Sequence, residues 1–555
     1  MAWIQKNQTN NISLIVQNRT HMSESQLLND TKVYHYNNLD QAADLYMKHV
    51  QKGSKIGCFA DYDTDGITSD NIQRLLAKAL RINDFYSIVP GRFSDGYGIK
   101  ERHIDEFKDF DLLLLCDNGI AAVEAVKKAK DYGIEVIILD HHQSRVDKTG
   151  KVILPPADVI VDPHITGGDF DDLCGAGISY RFAEAVFERC SWMSDKQKWF
   201  FLSRMSCFAA LGTVGDVVSL TYDNRKIVKE GIKNLNKGYA TTGLKTLCRE
   251  AKIYKASSTV FGYFLSPIIN ASGRMYDNGP KFISNLISYD VSGDLVDNDF
   301  LSKCCKAIET NDKRKEIEAL AVERDFNLID TTELKDNNFI VIIDSEITTG
   351  IVGLVSGKIT EKYHRPSIVL TETVDKSLVK GSGRSIEDID LKSILDKNNS
   401  LIEVYGGHAQ ACGITLNREK LDEFIKKINE CTPKYEACTD IFYDVECTLQ
   451  NAIHVYQEIE KFEPYGQGNP GIKVLIRGVE PDYSKSAMPV INMGADKQHL
   501  KIIADGMEFV WFNHAEDYRA LGSPEKVDVI GTLGVNSFNG IQTLQMTVEH
   551  LRKAE

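Results

Sequence analysis

Between Lys55 and Val161, short continuous aliphatic runs alternate with helical stretches. That alternation points to a parallel sheet covered on both faces by crossover helices. Lys55–Ala60, Asp111–Cys116, Glu135–Leu139 and Val159–Val161 read as strands, and Asn71–Leu80 and Ala122–Tyr132 as helices. Three of the runs end in acid. IGCFADYDTDG brings Asp61, Asp63 and Asp65, LLLLCDNG brings Asp117, and VIILDHH brings Asp140, His141 and His142. Ligands of open parallel sheets bind outside the carboxyl ends of the strands, so all three groups are expected on one edge.

A single Asp after a strand is commonly a helix cap. This many carboxylates on one edge would repel one another without a cation. Oxygen ligands with imidazole suit Mn²⁺ or Mg²⁺, and there are enough for two ions. Two divalent metal ions about 3.5–4 Å apart clamp a phosphate and activate a water for in-line attack. A further acid, Asp216 in AALGTVGDVVSL, follows a helical run and a turn that can bring it back to the edge.

The rest of the 555 residues divides by pattern. At roughly 150 residues per domain, three or four domains are expected. Residues 180–265 read as mostly helical. KAIETNDKRKEIEALAVERDF, within 300–328, has no Gly or Pro and reads as a long connecting helix with a solvated charged face. A second α/β pattern starts at Phe339–Asp344 and runs to about Thr415. From about Tyr443 the chain is strand-rich, with about five strands, which suggests a small barrel, an OB-fold. The expected divisions are 1–50 (N-terminal extension), 51–290 (catalytic domain), 291–330 (connecting helix), 331–438 (second α/β domain) and 439–555 (barrel). Removing the chain beyond about Cys438 is expected to leave the catalytic core folded.

The net charge of −14 argues against a sequence-independent coater of duplex DNA. It leaves room for a basic groove on an acidic protein. No apolar stretch approaches a membrane span, and MAWIQKNQTNNISL lacks the apolar core of a secretory signal. The twelve cysteines form no C-x-x-C pair, which disfavours structural zinc. Cys58, Cys116 and Cys412 sit in apolar segments, as buried thiols of a cytoplasmic protein do.

In order, DYDTDG (Asp61–Gly66), CDNG around Asp117, Asp140-His141-His142 and GTVGD ending at Asp216 resemble the motifs of the DHH phosphoesterase superfamily. PGRFSDGYGIKE (Pro90–Glu101), SPIINASGRM (Ser266–Met275), KGSGRS (Lys380–Ser385), YGGHAQACG (Tyr405–Gly413) and FEPYGQGNP (Phe462–Pro470) resemble segments of its RecJ single-strand-specific exonucleases. The resemblance runs from about residue 55 to the C-terminus. It implies an α/β protein: a parallel-sheet DHH domain and an α/β DHHA1 domain joined by a long helix, plus a C-terminal β-barrel (OB-fold). It implies a two-metal phosphodiesterase releasing 5′-mononucleotides from single-stranded DNA in the 5′→3′ direction, in repair and recombination. On it, Asp63, Asp65, Asp117, His141 and Asp216 match metal positions, with Asp117 bridging. His142 matches a position near the reacting phosphate, and Asp61 and Asp140 match acids that orient ligands. Arg384 and His408 match phosphate-holding positions. Single-stranded DNA-binding protein and repair helicases are the implied partners, and a monomer is expected.

Beside the resemblance, Gly406 and Gly407 let backbone N–H groups approach an anion next to His408, and Arg384 can hold two phosphate oxygens at once. Asn270, Arg274 and Arg92 are candidates for DNA contact or site support. Tyr62, Phe93 and Tyr97 are candidates for stacking on bases. Three features depart from the family pattern: an unmatched N-terminal region, Asp162 where Asn is expected, and no aromatic at the start of EITTGIVGLVSGKI. The alternative activity is a DHH-family phosphodiesterase acting on small oligonucleotides or cyclic dinucleotides. The long helix, the barrel and the RecJ-type loops stand against it. A non-catalytic binding protein is disfavoured by acids intact at every motif.

Overall fold

The computed structural model describes residues 2–554 apart from 148, 292, 294, 374–375, 436–438, 485–487 and 539–540. The expected division at residue 438 therefore lies outside the described residues.

The first sheet has five parallel strands in the order Phe85–Ile88, Ile56–Ala60, Leu112–Cys116, Glu135–Leu139, Val159–Val161. Side chains alternate faces along a strand, and both faces are covered. Cys58, Leu112, Leu114, Ile137 and Leu139 join the larger core, with the helices Thr64–Leu80, Gly175–Glu188 and Asp195–Gly215. Phe59, Leu113, Leu115, Val136 and Ile138 face the other way, toward Phe107, Val126 and Ala129. That two-sided burial is why the central runs Ile56–Ala60, Leu112–Cys116 and 136–139 carry no charged residue. Truncating any one of these leucines to Ala should cost about 2–5 kcal/mol. The edge strand Phe85–Ile88 was not foreseen: it is only part-buried and has no clear apolar run.

The long helix spans Asn298–Thr331, about 50 Å at 1.5 Å per residue. Phe300, Cys304 and Ala307 at its start pack into the first core. Ala321 and Ile329 pack with Ile340, Ile342 and Val355 of the second α/β unit. Its face is not wholly solvated: Asn311, Arg314 and Asp325 are buried. The second sheet runs Ile402–Gly407, Ala411–Asn417, Leu378–Arg384, Ser367–Glu372, Ile340–Ile343, and only its last pair is parallel.

The C-terminal sheet has seven strands, ordered Val445–Cys447, Lys473–Val479, Val527–Phe538, Ile541–Lys553, Met507–Trp511, His499–Ala504, Val490–Met493. Two of these were not separated in the five-strand reading: HLKIIADGMEFVWF turns back on itself at Asp505-Gly506, and Val490–Met493 is short.

The N-terminal region expected as an extension over 1–50 divides in two. Tyr34, Tyr36, Ala42, Ala43, Tyr46 and Met47 join the first core, while the residues before them pack elsewhere. Trp3–Gln5 pairs in parallel with Ile441–Tyr443. Ile12, Ile15, Val16, Met22 and Leu27 complete the C-terminal core. Arg225, on the helix Tyr222–Asn236, joins these parts. It is 1% exposed and donates to the carbonyls of Leu27, Phe462, Glu463 and Pro464. A cut near residue 438 would leave residues 12–29 without their packing partners and Arg225 without its bonds to 462–464. Among the described residues, no helix is long and apolar enough to cross a membrane.

Candidate metal and phosphate site

Each acid at the sheet edge is placed by a local device. Asp63 caps Thr64–Leu80, accepting from the N–H groups of Asp65 and Gly66. Gly66 has no alternative here, because a Cβ would lie 2.4 Å from the Asp61 carbonyl oxygen. Asp117 follows its strand in the left-handed region, φ +59°, which costs a non-glycine residue conformational energy. Asn118 holds that turn by donating to the Phe59 and Cys116 carbonyls. Asp216 caps the end of Asp195–Gly215 and returns to the edge.

The side chains converge. Oxygen and nitrogen atoms of Asp65, His141 and Asp216 lie within 4.8 Å of one another, as do those of Asp61, Asp63 and Asp117, and those of Asp117, His141 and His142. His141 Nε2 is 3.2 Å from Asp117 Oδ1, 3.7 Å from Asp216 Oδ2 and 3.8 Å from Asp65 Oδ2. Asp117 Oδ1, Asp61 Oδ1 and His141 Nε2 are buried without a hydrogen-bond partner. Burial, then the neighbouring acids Asp65, Asp63, Asp61 and Asp216, push the Asp117 carboxyl well above the usual range. Burial and Asp63 do the same to Asp61, and burial and Asp65 to Asp216. Burial, then His142, lowers the His141 pKa, which favours a neutral ring with a lone pair to give. Orphaned oxygens, mutual repulsion and a neutral imidazole together fit a pair of divalent cations.

Asp140 sits behind this cluster. It accepts from the N–H of His141 and Ile120 and from His142 Nδ1 at 2.8 Å. Burial opposes its charge, but His142 and these donors outweigh burial and hold the carboxyl at about 2. The pairing raises His142 to about 9 against its burial. Asp61 differs from the supporting position the family pattern suggested: it stands among the candidate ligand oxygens.

Sequence reasoning missed the residues that hold Asp65. The N–H groups of Gly175 and Ala176, opening the helix Gly175–Glu188, donate to its two oxygens at 2.7 and 2.9 Å. A helix N-terminus suits a carboxylate, and the glycine-rich CGAG was the available signal. A Cβ on Gly175 would lie 2.5 Å from Asp117 Cβ. Gly175→Ala is therefore expected to displace Asp117 and lower kcat by about tenfold or more. Steady-state kinetics beside a melting curve checks this; wild-type kcat would contradict it.

A second cluster is cationic. Arg274 is tied by Nη1 to the Gly350 carbonyl, 3.0 Å. Burial, then Arg92, Arg384 and Arg314, lowers its pKa to about 9. Arg92 lies over the Tyr62 ring at 4.3 Å, and its Nε is buried and unpartnered. Gly353 opens space beside Arg384, where a Cβ would lie 3.1 Å from Nη2. Arginines crowded in this way suit an anion. Asn270 accepts from the Thr64 N–H, so it braces the helix start that carries Asp63 and Asp65. Tyr97 packs on His142, ring centroids 4.9 Å apart, while Phe93 is exposed. Gly406 and Gly407 end the strand Ile402–Gly407 and His408 opens the turn after it, all three exposed, with His408 N–H donating to the Ala411 carbonyl. Among the described residues, no hydrogen bond joins that turn to the acids. Asp162 caps Pro163–Thr166, and burial and Asp140 raise its carboxyl to about 8.

Three family models match the chain in order: the DHH family N-terminal domain over 55–213, the DHHA1 domain over 336–434 and the RecJ OB domain over 443–550. The chain belongs to the RecJ family. Among relatives is the single-stranded-DNA-specific exonuclease RecJ of Bacillus subtilis, 27% identical over 93% of this chain, of whose length this chain spans 64%. The enzyme of that name from Haemophilus influenzae is 27% identical, with 95% of this chain and 92% of that one covered. The crystal structure of Thermus thermophilus RecJ with Mn²⁺ superposes with a TM-score of 0.79 at 23% identity, covering 98% of this chain and 76% of that one. That likeness establishes the fold, including the barrel read from the strand-rich C-terminus.

Proposed function

We propose that the protein is a single-strand-specific exodeoxyribonuclease that hydrolyses phosphodiester bonds with two divalent metal ions, Mn²⁺ or Mg²⁺. One observation carries the reading: buried oxygens of Asp61 and Asp117 and the buried Nε2 of His141 converge at one sheet edge without hydrogen-bond partners, in a chain whose relatives are named single-stranded-DNA-specific exonucleases. Bound ions of this kind supply a water nucleophile at neutral pH and offset charge on the phosphate. Asp65, His141 and Asp216 would hold one ion, Asp61 and Asp63 the other, and Asp117 would serve both.

The remaining roles belong to the protein's own groups. Asp140 orients His142 through Nδ1, and the His142 side chain, 31% exposed, can donate to a phosphate oxygen. Arg92, Arg274 and Arg384 hold the substrate phosphate from the other wall. Gly406, Gly407 and His408 meet the strand outside that pocket, where their exposure leaves room for it. On this reading 51–290 is the catalytic unit, 331–438 a phosphate-holding unit, and 439–555 with residues 3–29 a strand-holding unit. The 5′→3′ direction, release of 5′-mononucleotides, cytoplasmic location, a monomeric state and docking to single-stranded DNA-binding protein or repair helicases rest on the family resemblance.

The test uses 5′-labelled single-stranded DNA with Mn²⁺, beside blunt duplex, RNA and a cyclic dinucleotide. Mononucleotides should appear from the single strand at least about tenfold faster than from the duplex, and chelation should stop the reaction. Faster cleavage of the cyclic dinucleotide would replace this reading with the small-substrate one.

A further inference from the structure

We infer that Tyr263 and Phe264 form a stacking platform for unpaired bases of the substrate strand, an inference that rests on the single-strand nuclease reading. Both sit in Phe261–Leu265, a π-helical turn between Ser258–Val260 and the helix Ser266–Met275. Such turns are uncommon and recur at functional sites. Phe261 and Leu265 anchor the turn at 0% exposure, while Tyr263 and Phe264 between them are 76% and 56% exposed. Two adjacent aromatics thus face solvent from a turn that is fixed at both ends.

The place of the turn links it to the proposed chemistry. A Cβ on Gly215, beside Asp216, would lie 3.0 Å from Ser266 Oγ, and one on Gly262 would lie 3.5 Å from Val214. The turn therefore rests on the helix end that delivers Asp216. The next helix carries Asn270 and Arg274. Gly262, Tyr263 and Pro267 form one wall of a groove of about 410 Å³. Its other wall carries Arg314, Lys315, Glu318 and Lys358; Arg314 is buried and paired with Glu318. Lys315 and Lys358 each lean on an acid of their own helix, Asp312 and Glu361.

An exposed aromatic turn beside a groove with two solvent-facing lysines suits a nucleic acid strand with its bases splayed out: rings stack on bases without regard to sequence, and Lys315 and Lys358 can exchange their surface acids for backbone phosphates. A paired duplex keeps its base faces covered, so the platform would also favour single strands. Stacking of one base on a protein ring spans roughly five- to hundredfold in affinity.

The experiment measures steady-state hydrolysis of a labelled single strand of about 20 nucleotides by the full-length protein with Mn²⁺. The Tyr263→Ala/Phe264→Ala variant should raise KM about ten- to hundredfold and leave kcat within about threefold. Tyr263→Trp/Phe264→Trp should keep KM near wild type. A strand carrying an abasic site, moved one nucleotide at a time, should raise KM for the wild type at one or two positions and have no further effect in the alanine variant. An unchanged KM in the alanine variant, or a tryptophan variant as weak as the alanine one, would overturn the platform while leaving the nuclease reading intact. A wild type that does not cleave single strands at all would instead overturn the nuclease reading.

Discussion

Asp117→Ala is expected to reduce hydrolysis of single-stranded DNA by at least about a thousandfold while the protein stays folded. Asp117 belongs to two of the three clusters at the sheet edge, one with Asp61 and Asp63 and one with His141 and His142, and its Oδ1 lies 3.2 Å from the Nε2 of His141, which also meets Asp65 and Asp216, so its loss would empty a position that both ions need. The fold should not suffer, because the Asp117 carboxylate works against it. Burial and four neighbouring acids raise its pKa, which means the charged form is disfavoured in the folded, metal-free protein. Asp117→Asn should therefore raise the metal-free stability at neutral pH. It should also abolish the stabilisation that Mn²⁺ gives the wild type. Thermal melts with and without Mn²⁺, run beside the kinetics, read both effects. Activity within tenfold of wild type would remove Asp117 from the centre.

The largest effect on stability is expected at Arg225. Its guanidinium donates to four carbonyls on two segments outside its own helix. Hydrogen bonds from a charged donor are each worth about 1.5–3 kcal/mol, and orphaned buried partners add their own cost. Arg225→Met should lose about 3–5 kcal/mol overall, after relaxation and water entry. It should also release the N-terminal helices Ile12–Thr20 and Glu24–Asn29 from the helix Tyr222–Asn236. Urea titration gives the magnitude, and limited proteolysis near residues 20–30 gives the location. A midpoint unchanged from wild type would show that the N-terminal segment and the C-terminal unit dock without this bridge.

These two residues also mark what the sequence made legible. Asp117 could be read because a parallel sheet imposes a simple rule: buried strands are aliphatic throughout, and the residues just past their carboxyl ends face the ligand. Asp61, Asp63, Asp65, Asp140, His141 and His142 were legible for the same reason, each within a few residues of its strand. Arg225 carries no such mark. Its partners lie 198 to 239 positions away, and no local period records a contact of that kind. The N-terminal strand Trp3–Gln5 was hidden likewise, since its partner Ile441–Tyr443 lies at the other end of the chain. Gly175 and Ala176, which grip Asp65 from 110 and 111 positions away, left only a glycine-rich helix start as a trace. Tyr263 and Phe264 were invisible because the π-helical turn breaks the 3.6-residue period by which buried and exposed aromatics are told apart.

On this reading one sheet edge holds two ions that share Asp117. Anomalous diffraction at the manganese edge from crystals grown with Mn²⁺ tests it most directly. Two peaks per chain are expected, one among Asp65, His141 and Asp216 and one among Asp61 and Asp63, with Asp117 between them. A single peak, or manganese bound away from these residues, would contradict it.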